Sequence, residues 1–388
     1  MDRNILFVAT VAKKHICQFH IPYLKMLQES SCTVHVCALN DFNHNEKCQI
    51  NYCDEFYNIC FNRNPFSLKN IKAYKHIKRI LKENDYELIH CHTPIAAAIT
   101  RIAVKQSKKK IPVIYTSHGF HFFKGAPVSG YLYYLIEKFL TKYTDCIITV
   151  NSEDYESAQK LCKGTRCESY YVHGTGVDTY KIQSTSVDRR KLKQELGIPE
   201  DAFILLSVSE LNKNKNLKTT LNAFSMINND SVYYIICGEG DMSDEYHRMA
   251  IDLKIENRVI FTGYRYDIAK IVHIADLFLF PSLREGLGMA PLEAMSAGVP
   301  IIASDIRGVR EYGKNNINGI LLHPDDAEGF AEAIIKLQND DELRVRMSKN
   351  AIDSVIPFDI NKSLSAMADI YGEYIEIEEK EKIKVGVL

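Results

Sequence analysis

The chain has 388 residues, 46% of them hydrophobic, and a formal net charge of −1 at pH 7, a composition that suits a globular protein with room for two separate cores. Its 11 cysteines are odd in number and form no Cys-x-x-Cys pair, which argues against a disulfide framework and against a zinc ribbon. No apolar run approaches the roughly 20 residues that span a bilayer, and the first ten residues lead into a strand without the pattern of a secretory leader, so a cytoplasmic location is expected.

The first half alternates short apolar runs with amphipathic stretches, the rhythm of a doubly wound parallel sheet. Strands are expected at 5–9, 33–38, 55–59, 88–90, 113–116, 146–150 and 170–172. Ligands gather beyond the carboxyl ends of such strands. Here those ends carry Thr10 to His15, His90 to Pro94, Ser117 to His121, and Asn151 with Ser152. His90, His92, His118 and His121 raise the question of a metal. No acid lies beside either pair and their spacing matches no standard zinc pattern, so no metal is expected. An imidazole facing a cleft can instead hydrogen-bond a hydroxyl or steady developing charge near neutral pH.

Two surface features stand out in this half. Residues 1–180 hold about 23 Lys/Arg against about 16 Asp/Glu, and Lys69, Lys72, Lys75, Lys78, Arg79 and Lys82 alternate with Ile71, Tyr74, Ile77 and Leu81 at helical spacing. Such a basic amphipathic helix suits either a solvated surface or an anionic, phosphate-bearing one. The run from Phe120 to Leu140 is rich in aromatic and aliphatic residues with few charges. It reads equally as core and as an interfacial anchor. No nucleic-acid partner is expected.

After Gly174 to Asp178 the texture turns polar, with a charged helix ending at Gly197, Ile198 and Pro199, which marks a domain start. The α/β rhythm then resumes with strands at 203–207, 233–237, 259–261, 277–280, 301–303 and 319–322. Gly308 to Asn315 nearly fits a phosphate loop of the ATPase type, but Asn315 stands where Ser or Thr would hold Mg²⁺, so that reading is set aside. No Gly-x-Gly-x-x-Gly follows a strand in either half, which disfavours a dehydrogenase. The stretch 359–376 is amphipathic, and the charged tail beyond it is expected to fray.

Residues 280–304 carry the strongest signal. A buried strand stops at Pro281, and Gly286 and Gly288 let the following backbone approach a ligand. Pro291 sits in the first turn of a small-residue helix that ends at Gly298 and Pro300 before the next strand. The start of that helix attracts anions. Glu285 and Glu293, eight residues apart, are acceptors for paired hydroxyls. A nucleotide sugar offers both a pyrophosphate and such hydroxyls.

The string Glu285-Gly286-Leu287-Gly288, with Glu293 and then the run from Ala297 to Ser304, resembles the donor site of the retaining glycosyltransferases of family 4, which have the GT-B fold. Ser117 to Pro127 and Tyr143 to Tyr155 resemble the acceptor domain of its exopolysaccharide and capsule branch, and Gly174 to Asp178 its hinge. The resemblance covers nearly the whole chain. It implies two Rossmann-like α/β domains facing a cleft: an acceptor domain over 1–180, joined by a C-terminal helix at 358–380 that crosses back, and a nucleotide-sugar domain over 181–357.

It also implies roles. His118 would lie beside the transferred sugar, and Glu285, with the backbone of Gly286, Leu287, Gly288 and Met289, would hold sugar and phosphate. Glu293 would take the ribose hydroxyls, Lys215 the diphosphate, and Gly240, Tyr264 and Arg265 the base. Thr10, His15, His92, Phe120 and His121 would line the acceptor side. Two departures stand out: Glu210 occupies a position where the family usually has Arg, and the loop after the first strand, Ala9 to Ala12, lacks the glycines of many relatives. The expected activity is retaining transfer of a hexose or N-acetylhexosamine from a UDP-sugar, without a cofactor, to a saccharide carried on undecaprenyl diphosphate, with a peripheral contact at the inner membrane leaflet. The rival readings are a GT-B UDP-sugar 2-epimerase and a non-catalytic nucleotide-sugar-binding protein.

Overall fold

The computed structural model describes residues 3–42, 47–128 and 130–376; the tail expected to fray, and the end of the helix expected over 358–380, lie outside the described residues from 377 onward. The chain divides into two compact units, one formed by 1–175 with 362–388 and the other by 176–361.

The first unit is a seven-stranded sheet in the order β3-β2-β1-β4-β5-β6-β7. Its strands are β1 (Arg3–Val11), β2 (Cys32–Leu39), β3 (Glu55–Asn58), β4 (Leu88–His92), β5 (Val113–Ser117), β6 (Cys146–Thr149) and β7 (Glu168–Tyr171). Every pairing is parallel. The central strands are apolar on both faces because helices cover both. One face packs Leu6, Val8, Ile89, Tyr115 and Ile147 against the helices Leu68–Glu83 and Pro94–Ser107. The other packs Ile5, Phe7, Val34, Ile114 and Ile148 with Met367, Ile370 and Tyr371 of the C-terminal helix Ile360–Gly372. That helix is also tied in by polar contacts, Tyr371 Oη lying 2.6 Å from His90 Nδ1.

Two segments differ from the sequence reading. Where a polar loop is expected after β1, the strand runs on to Val11 and a π-helix, Ala12–His20, follows before the helix Ile21–Glu29. Pro22 at the start of that second helix has no N–H to donate, so a regular i→i−4 ladder cannot run through the junction. In the aromatic segment, the helix Gly130–Leu140 buries Gly130, Glu137 and Leu140. Tyr131, Leu132 and Phe139 are 65%, 59% and 51% exposed, so the apolar stripe is surface and only its edge is core. Glu137 is held there by Arg101, whose two terminal nitrogens meet the carboxylate at 2.8 and 3.1 Å.

The second unit has six strands in the order β10-β9-β8-β11-β12-β13: β8 (Phe203–Val208), β9 (Val232–Cys237), β10 (Val259–Gly263), β11 (Leu277–Phe280), β12 (Ile301–Ser304) and β13 (Gly319–Leu322). These too are all parallel. In each unit the order reverses beside the first strand, which is the doubly wound arrangement and places a crevice at the carboxyl ends of the strands on either side of the reversal. Among the described residues no helix is long and apolar enough to cross a membrane.

Candidate functional site

In the second unit the reversal point lies between β8 and β11, and the loops that leave these two strands are bonded to each other. Asn214 accepts from Leu283 N–H through its backbone at 2.8 Å and donates its side chain to Arg284 O at 2.8 Å. This brings Lys215 to Glu285, whose side chains form a half-buried pair at 2.6 Å, with the ammonium 5.3 Å from the centroid of the Phe280 ring. The partners are 70 residues apart in sequence, and each is the residue singled out from its own loop.

The glycines of the loop are there for close approach. Gly288 has φ +88°, and a Cβ on it would sit 3.1 Å from both the Phe280 ring and Tyr312 Oη. The same Tyr312 hydroxyl donates to Gly288 O at 3.2 Å. Burial, and then the nearby Glu285 charge, push its ionisation far above the ordinary range, so it acts as a fixed donor. Gly308 lies beneath the loop: a Cβ there would come 2.8 Å from Glu285 O. The helix Met289–Ser296 opens after Gly288 with no side-chain cap on its first turn, and such a helix start is the arrangement that binds anions. Glu293 lies one turn on and is half-buried. Burial raises its carboxyl to about 7, against a small opposing effect of Lys181.

The neighbouring loop is similarly tight. A Cβ on Gly240 would meet Leu211 O at 2.2 Å, and Leu211 N–H donates to Glu239 O at 2.9 Å. Tyr264 is 58% exposed, with its N–H 3.3 Å from Glu239 Oε1. Arg265 is held by Asp267 at 2.8 and 2.6 Å, which turns its guanidinium to a neighbour on its own loop. Glu210 accepts from Asn212 Nδ2 at 3.0 Å. Sequence reasoning passed over three hydroxyls: the Oγ atoms of Ser209, Ser282 and Ser304 are buried with no hydrogen-bond partner among the described residues. They lie just after β8, just after β11 and at the end of β12. Their signal was only their place at strand ends.

In the first unit the structure gathers histidines from three strand ends. His15 and His20 come from the π-helix, His92 ends β4 and His118 follows β5, and one ring nitrogen from each lies within 4.8 Å of the others. His90 stands apart, with both nitrogens engaged by Tyr371 Oη at 2.6 Å and Thr116 Oγ1 at 2.7 Å. Burial is the first cause of a lowered pKa for all five. It takes His118 to about 4 and His90 to about 3, and His15, His20 and His92 well below the usual value. The rings are therefore neutral at pH 7. His20, missed from sequence, sits five residues after His15 at a spacing no regular helix would align.

The other acceptor-side candidates are more dispersed. Thr10 bonds Thr93, N–H to Oγ1 at 3.0 Å and hydroxyl to hydroxyl at 2.7 Å. Phe120 is 3% exposed, stacked on Phe122 at 4.5 Å, with its N–H on Asp154, so its ring is core rather than a sugar platform. His121 stacks on Tyr133 at 4.9 Å, away from the four-histidine group.

The profile of the family described as "Glycosyl transferases group 1" matches residues 188–354 and that of "Glycosyl transferase 4-like" residues 4–151. The chain is 37% identical over 388 residues to EpsD of Bacillus subtilis (strain 168), covering 98% of this chain and all of that one. It is 31% identical to UDP-Gal:alpha-D-GlcNAc-diphosphoundecaprenol alpha-1,3-galactosyltransferase of Escherichia coli, over 81% of this chain and 82% of that one. Among solved structures, Anabaena Alr3699/HepE in complex with UDP and glucose superposes with a TM-score of 0.78 at 20% identity, covering 96% of this chain and 100% of the other, which speaks for the fold. The chain belongs to the family 4 glycosyltransferases, with the GT-B fold.

Proposed function

We propose that the protein transfers a hexose or N-acetylhexosamine, with retention of configuration, from a UDP-sugar to a saccharide carried on undecaprenyl diphosphate in surface polysaccharide biosynthesis. The observation that carries this reading is the Lys215–Glu285 pair at 2.6 Å, set beside the glycine loop and the start of the helix that bears Glu293. In it a cation for a diphosphate and carboxylates for sugar hydroxyls share one strand-end crevice. Lys215 and the amides of Gly286 to Met289 take up the diphosphate charge, Glu285 holds the sugar and Glu293 the ribose, and Gly240, Tyr264 and Arg265 stand at the base end. On the acceptor side, in the first unit, the roles fall to His118 and His15, which are partly exposed, while His92 and Thr10, both buried, stand behind them. The departing phosphate oxygen accepts the acceptor's proton on the face it leaves, so no side-chain base is assigned, and the transfer step itself calls on no metal. The activity of the Escherichia coli relative, a galactosyltransferase that uses UDP-Gal and a diphosphoundecaprenol-linked sugar, supports the donor and acceptor classes.

The exposed face of the helix Gly130–Leu140 favours a peripheral membrane contact as part of the same function. Val128, Tyr131, Leu132, Leu135, Ile136 and Phe139 are 93%, 65%, 59%, 47%, 43% and 51% exposed, in a unit whose helix Leu68–Glu83 is basic. Rings at headgroup depth with lysines nearby suit an anionic leaflet.

The test is to offer UDP-Glc, UDP-Gal, UDP-GlcNAc and UDP-GalNAc with and without undecaprenyl-diphosphate-linked GlcNAc and to read product and anomeric configuration by NMR. Acceptor-dependent transfer giving an α-linked product is expected. Interconversion of epimers without acceptor would establish the epimerase reading instead, and binding without turnover the non-catalytic one.

A further inference from the structure

The four histidines His15, His20, His92 and His118 form a cluster for which hydrogen bonding gives a poor account. His20 Nε2 faces His15 Nε2 at 3.3 Å and His118 Nε2 faces His92 Nδ1 at 3.4 Å. Both separations are long for a hydrogen bond. His20 and His92 are fully buried; their other ring nitrogens, Nδ1 and Nε2, have no partner among the described residues and are not the atoms of the facing pairs. The ring centroids stand 3.9 to 5.9 Å apart.

These dimensions fit a shared cation. Imidazole binds Zn²⁺ at about 2.0–2.1 Å in tetrahedral geometry, and the edge of such a tetrahedron is about 3.3–3.4 Å, since edge and radius stand in a fixed ratio of about 1.63. The two facing pairs already have that edge. The four nitrogens lie within 4.8 Å of one another, so contraction of the remaining edges closes the set, and the His20–His92 stack, at 3.9 Å between centroids, opens slightly. The donor set is all nitrogen. That selects borderline transition metals such as Zn²⁺, Co²⁺ or Ni²⁺ over Mg²⁺ and Ca²⁺, which take oxygen.

The backbone supports the same reading. In an α-helix residues five apart point about 140° away from each other. The π-helix Ala12–His20 brings His15 and His20 to one face. Such wide turns are rare, are mostly a single turn long, and are frequent at functional sites.

We infer that His15, His20, His92 and His118 form a binding site for one divalent transition-metal ion, of the class of Zn²⁺, in the first unit. The ion ties the segments after β1, at the end of β4 and after β5 into one arrangement, and it fixes the His118 ring while leaving its second nitrogen for a sugar hydroxyl. The site stands whether or not the transferase reading does, because its residues are read from geometry within the first unit.

The test uses full-length protein freed of any affinity tag, stripped by chelator, reloaded with Zn²⁺ or Co²⁺ and gel-filtered, with metal measured by mass spectrometry and Co²⁺ by its visible spectrum. About one ion per chain is expected, with the intense bands of tetrahedral Co²⁺ and a rise in melting temperature on reloading. His20→Ala and His92→Ala should each lose the stoichiometric ion, whereas His76→Ala, on an exposed face of the helix Leu68–Glu83, should keep it. His15→Cys retains a ligand and should add a thiolate-to-Co²⁺ charge-transfer band, which a variant that merely unfolds cannot do. Failure of the wild type to retain the ion, retention by the His20→Ala and His92→Ala variants, or absence of the new band in a folded His15→Cys protein would overturn the site. None of these readouts needs donor or acceptor, so their failure is distinct from failure to transfer sugar.

Discussion

Replacing Glu293 with Gln removes a charge that the fold resists. The carboxyl, half-buried in the helix Met289–Ser296, is raised from the ordinary 4.5 to about 7 by burial, Lys181 opposing only in part. The folded state therefore holds a proton that the unfolded chain gives up. Below about pH 4.5 both states are protonated and folding carries no cost. As pH rises through 7 the folded protein loses stability relative to the unfolded one, and above 7 the full difference of ~3 kcal/mol is reached. At pH 5 the cost is ~1 kcal/mol and at pH 8 ~3 kcal/mol. Gln keeps the shape and has no such dependence. By calorimetry, the unfolding transition should rise in Glu293→Gln over wild type by roughly 5–10 °C more at pH 8 than at pH 5.

The same proton enters ligand binding. If hydroxyl donors favour the carboxylate, UDP-sugar affinity of the wild type should weaken about tenfold between pH 8 and pH 6, and Glu293→Gln should bind weakly at both. A constant difference in melting temperature at the two pH values, or a wild type more stable than the variant at pH 8, would refute the argument that burial raises this group.

Lys215→Ala should lower kcat/KM for transfer about 10²–10³-fold while leaving the melting temperature near wild type, since one charge-assisted contact to the leaving diphosphate is lost; steady-state kinetics decides it. In Gly308→Ala the new Cβ would press on Glu285 O at 2.8 Å, so UDP affinity measured by calorimetry should fall while circular dichroism stays unchanged. Glu137→Ala should cost about 3–5 kcal/mol in denaturant unfolding, because Arg101, fully buried, would be left without its counter-charge; the pair Arg101→Met with Glu137→Leu should recover much of that loss. Tyr131→Ser with Phe139→Ser should reduce sedimentation with phosphatidylglycerol vesicles several-fold, with transfer to a water-soluble acceptor analogue unchanged.

What could be read in advance follows from the range of the forces involved. Strands such as 277–280 and 319–322 were visible residue for residue because their apolarity is local and punctuated by Pro281 and Gly319, and the strand at 88–90 fell short only because its last two residues, Cys91 and His92, look like loop. Glu285 and Glu293 were visible because a loop that holds a charged ligand shows its charges and glycines in one short string, whereas Lys215, 70 residues away from Glu285, was marked only by the family resemblance. Contacts between distant segments leave no such trace. Arg101 and Glu137, separated by 36 residues, carry no local pattern that pairs them. His90 is satisfied by Tyr371, 281 residues away, and so stands outside the cluster although it is one of the strand-end histidines. His121 lies three residues from His118, but its ring is stacked on Tyr133. His20 had the wrong spacing to His15 for an α-helix and came into the cluster through the π-helix Ala12–His20. The spacings compared with zinc patterns were those of His90, His92, His118 and His121 and did not take in His15 and His20, which the wider helical turn brings together. In this fold the donor loops repeat a pattern within one segment, whereas the histidine cluster is assembled from three strand ends by backbone geometry that composition does not encode.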